Sequence, residues 1–361
     1  MSSYPRHVLF AALALAGILT AGCFDSGEAE VADEGVSSLP RRRGTLIVEG
    51  CALDSTQRAT VQSAGSRRLV QEIVLLCLTV DEQGQVSPGD DDRRATLLGE
   101  VKSMQALGYR VALGAGLGTS RDALYSAERG AVTLASQATR AAALAQLATL
   151  TASADAVDLI LAPLPSASRL DVEAYVSEAS SAFGRQRTEL FVPPSISSPS
   201  DIPGGDAFSL PTLAPMVSRL RVMTLDYSCC PGPGPTTDPT WTADVMRFTR
   251  TQTADTSLDF TFPLFGTDFG PNGQRSVTFV EATGLAATYR AAIRRSPTGA
   301  PTFRYAAPDG PHDVYFDDVV STSLALSAAD SDAIDAAAGV VFYGLGAEQP
   351  ALFDDLSRRT P

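Results

Sequence analysis

Short apolar runs bounded by turn residues alternate with longer stretches of helical period along this chain. The apolar runs are TLIVEG (45–50), EIVLLCLTV (72–80), RVALGAG (110–116), VDLILAP (157–163), ELFVPP (189–194), LRVMTLDY (220–227), LDFTFPLF (258–265) and GVVFYGLG (339–346). Between them lie stretches with helix ends. DDDRRATLLGEVKSMQALGY starts on acids, carries Leu97, Leu98, Val101 and Met104 on one face, and stops at Gly108. AAALAQLATLTASA, LDVEAYVSEASSAFG and TADVMRFTRTQT follow the same logic, and EQPALFDDLSRR has Pro near its start and Arg at its end. Such alternation predicts βα units around a parallel sheet. Eight strands with intervening helices in about 310 residues predict an α/β chain folded as a (β/α)8 TIM barrel, an open doubly wound sheet being the alternative.

One connection breaks the rhythm. From Gly266 to His312 the chain holds a helix-like VEATGLAATYRAAIRR and a strand-like TFRYAA. This predicts a small insertion between strand 7 and strand 8, an excursion above the barrel mouth rather than a domain. No internal repeat is visible at solenoid periods.

The N-terminus has a different character. Arg6 and His7 precede the apolar run VLFAALALAGILTAG and then Cys23, too short a stretch to span a membrane and the form of an export signal. LTAGC resembles the bacterial lipoprotein signal, with Thr20 where Leu is usual, which implies that Cys23 is lipidated and becomes the new N-terminus. Phe24 in place of Asp implies sorting to the outer membrane. The expected organisation is a signal over residues 1–22, an acidic flexible tether over 23–43, and a barrel over 44–361. The expected location is the bacterial cell envelope, with the membrane reached through Cys23.

Charge and cysteines narrow the partners. The net charge of -13 argues against nucleic acid. In an oxidising compartment Cys51, Cys77, Cys229 and Cys230 can form disulfides. Adjacent Cys229 and Cys230 pair poorly with each other, so Cys51 and Cys77 are expected to pair together or with that doublet. No C-x-x-C occurs, and after removal of the signal His312 is the only histidine, so neither a metal site nor a histidine-based triad is expected, and no cofactor is implied.

Taken in order, EIVLLCLTVDEQGQV, RVALGAG, DAVDLILAP, RVMTLDYS, FTFPLFGTDFG, HDVYFDDVVS and GVVFYGLG resemble the strand ends of family 18 glycoside hydrolases. That family includes chitinases, endo-N-acetylglucosaminidases and spore-cortex peptidoglycan hydrolases, and the resemblance runs from about Gly44 to Arg359. It implies a fourth strand carrying D-x-x-D-x-D-x-E, whose alternate residues face the mouth. In the family the Glu protonates the glycosidic oxygen, and the preceding Asp orients the substrate N-acetyl group that acts as nucleophile. Here Asp155 and Asp158 take the first two acidic positions, while Ile160 and Ala162 stand where the reacting-end Asp and Glu would be. Losing a positioned general acid costs typically ~10²- to 10⁴-fold. No Glu lies between Gly130 and Asp171, so a register slip on this strand supplies none.

Other residues carry weaker signals. Asp171 and Glu173 are expected to favour a helix start. RVMTLDYS resembles the family's sixth-strand M-x-Y-D, with Leu225 replacing the Tyr and Asp226 retained; Tyr227, its neighbour, is expected to face the other side. Tyr343 stands where the family has a Trp flooring the sugar subsite. Trp241 is expected on a loop over the C-terminal face, Tyr315 near strand seven, and His312 in a turn before it. The candidate glycan-binding residues are therefore Asp158, Asp226, Tyr343, Trp241 and Tyr315. The resemblance and its gaps together imply a barrel that has lost hydrolysis and binds N-acetylated glycan such as peptidoglycan or chitin fragments. Two alternatives stay open: an active glycosidase of altered mechanism using Asp226 or a loop carboxylate, and an envelope scaffold that meets another protein and no sugar.

Overall fold

Eight parallel strands follow one another around a closed barrel. They are β1 (Gly44–Glu49), β2 (Val70–Val80), β3 (Arg110–Leu117), β4 (Ala156–Ile160), β5 (Thr188–Val192), β6 (Arg219–Val222), β7 (Ser257–Pro263) and β8 (Gly339–Tyr343). Each pairs with its neighbours in chain order, and β1 pairs with both β2 and β8. That closure makes the fold a (β/α)8 barrel and excludes the open sheet. This computed structural model describes residues 39, 41–88, 91–117, 127–161, 164–225, 227, 232–253, 256–328 and 338–360. The expected export signal, Cys23 and most of the tether lie outside them, as do Cys229 and Cys230. None of the described helices is long and apolar enough to cross a membrane.

Strand alternation sorts the side chains into two cores. Outward residues such as Leu46, Ile73, Leu113, Leu159, Leu190, Leu220 and Phe342 pack against the helices through Val101, Leu147, Val176, Met246 and Phe353. Inward residues form a separate cluster inside the barrel. Each such side chain contributes about 1.5–3 kcal/mol on full burial. The helices form where their ends were legible. Asp91 and Asp92 occupy the first turn of the helix Asp91–Ala106, which buries Leu97, Val101 and Met104. Gly108, at φ 93°, takes the left-handed conformation that releases the chain into β3.

Cys51, just past β1, is disulfide-bonded to Cys77 on β2. Register between β2 and β3 shifts across Cys77, between Leu76 and Leu78, so this cysteine occupies a bulge. Of the two pairings the sequence left open, this is the one with Cys51 and Cys77 together.

The insertion begins at Gly266 and runs to Tyr315, beyond the expected end at His312. It is larger than an excursion: a five-stranded antiparallel sheet and the helix Phe279–Tyr289 share a core of Val277, Ala282, Ala286, Phe303, Tyr305, Val314 and Phe316. Tyr315 and His312 are accordingly corrected. Both lie on the strand Gly310–Tyr315 of this sheet, where Tyr315 meets Phe269 edge-on at 6.3 Å. Val314 is the only buried apolar residue of that strand, so no apolar run marked it in the sequence. Buried Asp268 ties its own strand to three others of the sheet. It accepts the Tyr305 hydroxyl at 2.8 Å, stands 2.8 Å from His312 Nδ1, and pairs with Arg275 at 2.9 Å.

Candidate functional site

The lower half of the barrel interior is filled by charge. Arg221 on β6 is fully buried, and its guanidinium reaches five other strands. It contacts Asp158 on β4 at 2.6 Å, Asp259 on β7 at 2.9 Å, Thr45 on β1 at 3.0 Å, Glu72 on β2 at 3.1 Å, and Glu189 on β5. Arg110 and Arg219, the first residues of β3 and β6, also pair with Glu72 and Glu189, and Arg43 pairs with Asp259. Four guanidinium groups thus meet four carboxylates near the N-terminal ends of the strands, the end of such barrels that serves stability. Gly339 makes room for this layer, since a Cβ there would stand 2.2 Å from Asp259 Oδ1.

The two ends of this network titrate oppositely. Burial works to raise Glu72, but Arg221, Arg219 and Arg110 outweigh it and hold the carboxyl down at about 2. Asp158 is pushed up to about 7 by burial; Arg221 opposes, while Glu189 and Glu72 add to the rise. Its Oδ1 has no hydrogen-bond partner. The native state therefore holds a proton on Asp158 that the unfolded state releases from its ordinary value of 3.8 upward. This group's contribution is present at low pH and is lost as pH rises through about 7. Asp158→Asn is expected to remove that share of the decline, so the gap between wild-type and variant melting temperatures should change steadily across this window. Glu72 acts in a separate window, below its ordinary 4.5. Identical slopes for the two proteins would show that Asp158 does not titrate there.

Above the charged layer the interior turns apolar. Ile47, Val74, Leu76, Ala112, Ile160, Phe191, Val341, Leu225 and Tyr343 pack together, with Met223 and Phe265 against them. Ile160 is 1% exposed and Leu225 8%. Phe191 caps the charged layer from this side, its ring centroid 5.9 Å from the Arg221 guanidinium carbon.

Over this floor opens a groove of about 1240 Å³ at the C-terminal ends of the strands. Its lining comes from the segments after β1 (Asp54, Gln57), β5 (Pro193, Pro194, Asp201, Phe208), β6 (Met223, Leu225, Tyr227, Trp241), β7 (Phe265) and β8 (Gly344 to Ala347). The insertion supplies one wall through Gln274, Ser276, Val277, Thr278 and Glu281, so it borders the mouth without plugging it. Tyr227 and Trp241 lie side by side, centroids 5.3 Å apart, with Tyr227 43% exposed. Gly344, at φ 93°, turns the chain at the lip after Tyr343, and its amide donates to the Ile47 carbonyl at 3.2 Å.

The sequence-derived candidates separate on this geometry. Tyr343 and Trp241 line the groove. Asp158 does not: it lies fully buried in the charged layer, beneath Ile160, because the strand position that faces inward there is too deep to reach the mouth. Tyr315 is not among the lining residues, for the reason given above. Asp155, just before β4, accepts the Val111 amide at 2.8 Å and the Gln105 side-chain amide at 3.1 Å, pegging β3 to β4. Ala162 and Asp226 lie outside the described residues. Asp171 and Glu173 sit on the helix Arg169–Phe183, where Glu173 pairs with Arg169 at 3.1 Å.

Two readings of the sequence are corrected here. Trp241 is in the first turn of the helix Pro239–Gln252, not on a loop: Asp238 caps that helix by accepting the Trp241 amide, and Pro239 opens it. The Asp-Pro pair that starts the helix directly follows the Pro- and Gly-rich stretch PGPGPTT (231–237), which hides it in the sequence. Tyr227 lines the groove, although strand alternation placed it on the far face; β6 ends at Val222, so the alternation does not extend to residue 227.

The fold and the mouth define a class: a (β/α)8 barrel with an α+β insertion after its seventh strand and a groove at its C-terminal face. Among solved structures this is the fold of chitinases and spore cortex-lytic enzymes. The chitinase from Chromobacterium violaceum matches with a TM-score of 0.72 at 16% identity, over 88% of this chain and 98% of that one. The spore cortex-lytic enzyme SleL from Bacillus cereus matches with 0.71 at 14% identity, over 90% of this chain and 75% of that one. A class V chitinase variant from Nicotiana tobaccum, in complex with NAG4, matches with 0.66 at 12% identity, over 88% and 98%. No protein-family model and no curated protein sequence matches the chain.

Proposed function

We propose that this protein is an envelope lipoprotein whose barrel binds an amino-sugar glycan of the chitin or peptidoglycan kind without hydrolysing it. One observation carries the reading: an open groove edged by Tyr227, Trp241 and Phe265 lies over a floor that is apolar at Ile160 and Leu225. Aromatic faces stack on the apolar faces of sugar rings, and an open mouth of about 1240 Å³ has room for several of them. By sequence, Ala162 has no proton to transfer where the family's acid would stand, and an aliphatic side chain at 160 cannot orient an acetamide. That the ligand is a glycan rests on the fold likeness and on this lining, and fold alone does not fix function. Membrane attachment through Cys23 rests on the sequence.

Calorimetric titration with chitooligosaccharides and with peptidoglycan glycan strands, run beside an assay for product release, tests the proposal. Binding without release is expected. Trp241→Ala is expected to weaken binding roughly 2- to 10-fold, the worth of one aromatic contact. Release of products that Asp226→Asn abolishes would replace this reading with a glycosidase of altered mechanism. No saccharide bound at millimolar concentration would leave the scaffold reading, which the tight packing of Ile160 and Leu225 favours.

A further inference from the structure

The described lining of the groove carries acids and no base. Glu49, Asp54, Asp201 and Glu281 face it, and among its described lining residues there is no lysine, arginine or histidine. These carboxylates come from four segments: the end of β1, the helix cap after it, the loop after β5, and the insertion helix. The acids of the described lining are therefore spread over four segments instead of collecting at one loop.

Three of the four are fixed by neutral donors. Asp54 accepts the Gln57 amide at 2.8 Å, Asp201 accepts the Ser195 hydroxyl and the Ile196 amide at 2.9 Å each, and Glu281 accepts the Thr278 amide at 2.7 Å. Among the described residues no salt bridge reaches Asp54, Asp201 or Glu281. Several acids elsewhere are paired with arginines instead: Glu72, Asp158, Glu189 and Asp259 inside the barrel, and Glu100, Glu178 and Asp318 with Arg58, Arg140 and Arg295, while Asp155 and Asp238 are held by neutral donors as the groove acids are. The net charge of -13 adds its field to the groove.

We infer that the groove selects glycan carrying free amines, an oligosaccharide of deacetylated glucosamine units, over the fully N-acetylated form. This deepens the reading above and rests on it. A protonated amine on the sugar ring meets carboxylates in the same groove where the ring face meets Tyr227 and Trp241. An acetamide is neutral and gains nothing from that field. The amines stay solvated at an open mouth, so each pair adds modestly, and several add up along a chain.

The experiment titrates the protein with glucosamine oligomers and N-acetylglucosamine oligomers of equal length, at low and at high salt, with oligolysine of matching charge as control. The expected result is roughly tenfold tighter binding of the amine form at low salt, shrinking toward parity at high salt. In the Asp201→Asn, Glu281→Gln variant, which keeps both acceptors, the ratio of affinities for the amine and acetylated forms should fall several-fold. Equal or tighter binding of the acetylated oligomer overturns this inference and leaves glycan binding intact. Oligolysine binding as tightly as the amine sugar also overturns it, since charge alone would then be read. Binding of none of the sugars ends the glycan reading itself.

Discussion

Arg221→Met is expected to cost roughly 3–5 kcal/mol of folding stability, at the upper end of what breaking a buried ion pair does. The methionine can fill the space of the aliphatic stem, so the loss does not come from a cavity. It comes from Asp158, Glu72, Glu189 and Asp259, which keep their burial and lose the one group that touches all four. Arg219 and Arg110 continue to hold Glu72 and Glu189, but neither reaches Asp158. Arg221→Lys should recover only part of the loss, because a single ammonium cannot serve partners spread over five strands in the plane of a guanidinium. Urea denaturation of the three proteins near neutral pH measures the effect. Repeating it in acid sharpens it: the deficit of the methionine variant should narrow as the orphaned carboxylates protonate. A loss below about 1 kcal/mol, or one independent of pH, would show that the layer is not held by this charge.

The same layer shows what could be seen in the sequence and what could not. The eight strands and the site of the insertion were legible because hydrophobic runs and helix ends are local signals. The charged layer was not, although its members stood in view near the starts of the runs: Glu72, Arg110, Asp158, Glu189, Arg219, Arg221 and Asp259. Each looks like a polar residue bordering a strand. Only closure of the sheet, which brings β1 beside β8 and places Arg221 within reach of β2, turns them into partners. Asp158 is such a case: its spacing from Asp155 resembles a catalytic motif, while its surroundings make it a partner of Arg221. The resemblance found the barrel and marked Ile160, Leu225 and Tyr343 as departures or replacements. It gave no hint that the first two would be joined by Leu76, Phe191 and Val341 into one apolar floor. Tyr227 was lost to an alternation rule applied beyond the end of its strand, and the groove acids were invisible because helix caps and loops from distant segments converge only in three dimensions.

That floor leads to a second large expected effect. If Ile160 were a single lost catalytic residue in an otherwise waiting site, restoring the acid by Ile160→Asp would be tolerated. The geometry predicts the opposite: a loss of roughly 3–5 kcal/mol near neutral pH, because the carboxylate would be buried without a cation. Ile160 is 1% exposed and packed in the cluster of Phe191, Leu225 and Tyr343, while the nearest layer of arginines lies below and is already matched by four carboxylates. The new acid would have its folded-state pKa raised by desolvation, so the native state would bind a proton that the unfolded state releases near ~4. Its penalty should therefore be small in acid and grow as pH rises through the window between those two values. Melting curves of wild type and variant across pH distinguish this from a purely steric effect, which would be flat. A variant as stable as wild type at neutral pH would mean that the floor still accommodates an ionised acid, and the reading of a mouth rebuilt for binding would then fail at its centre.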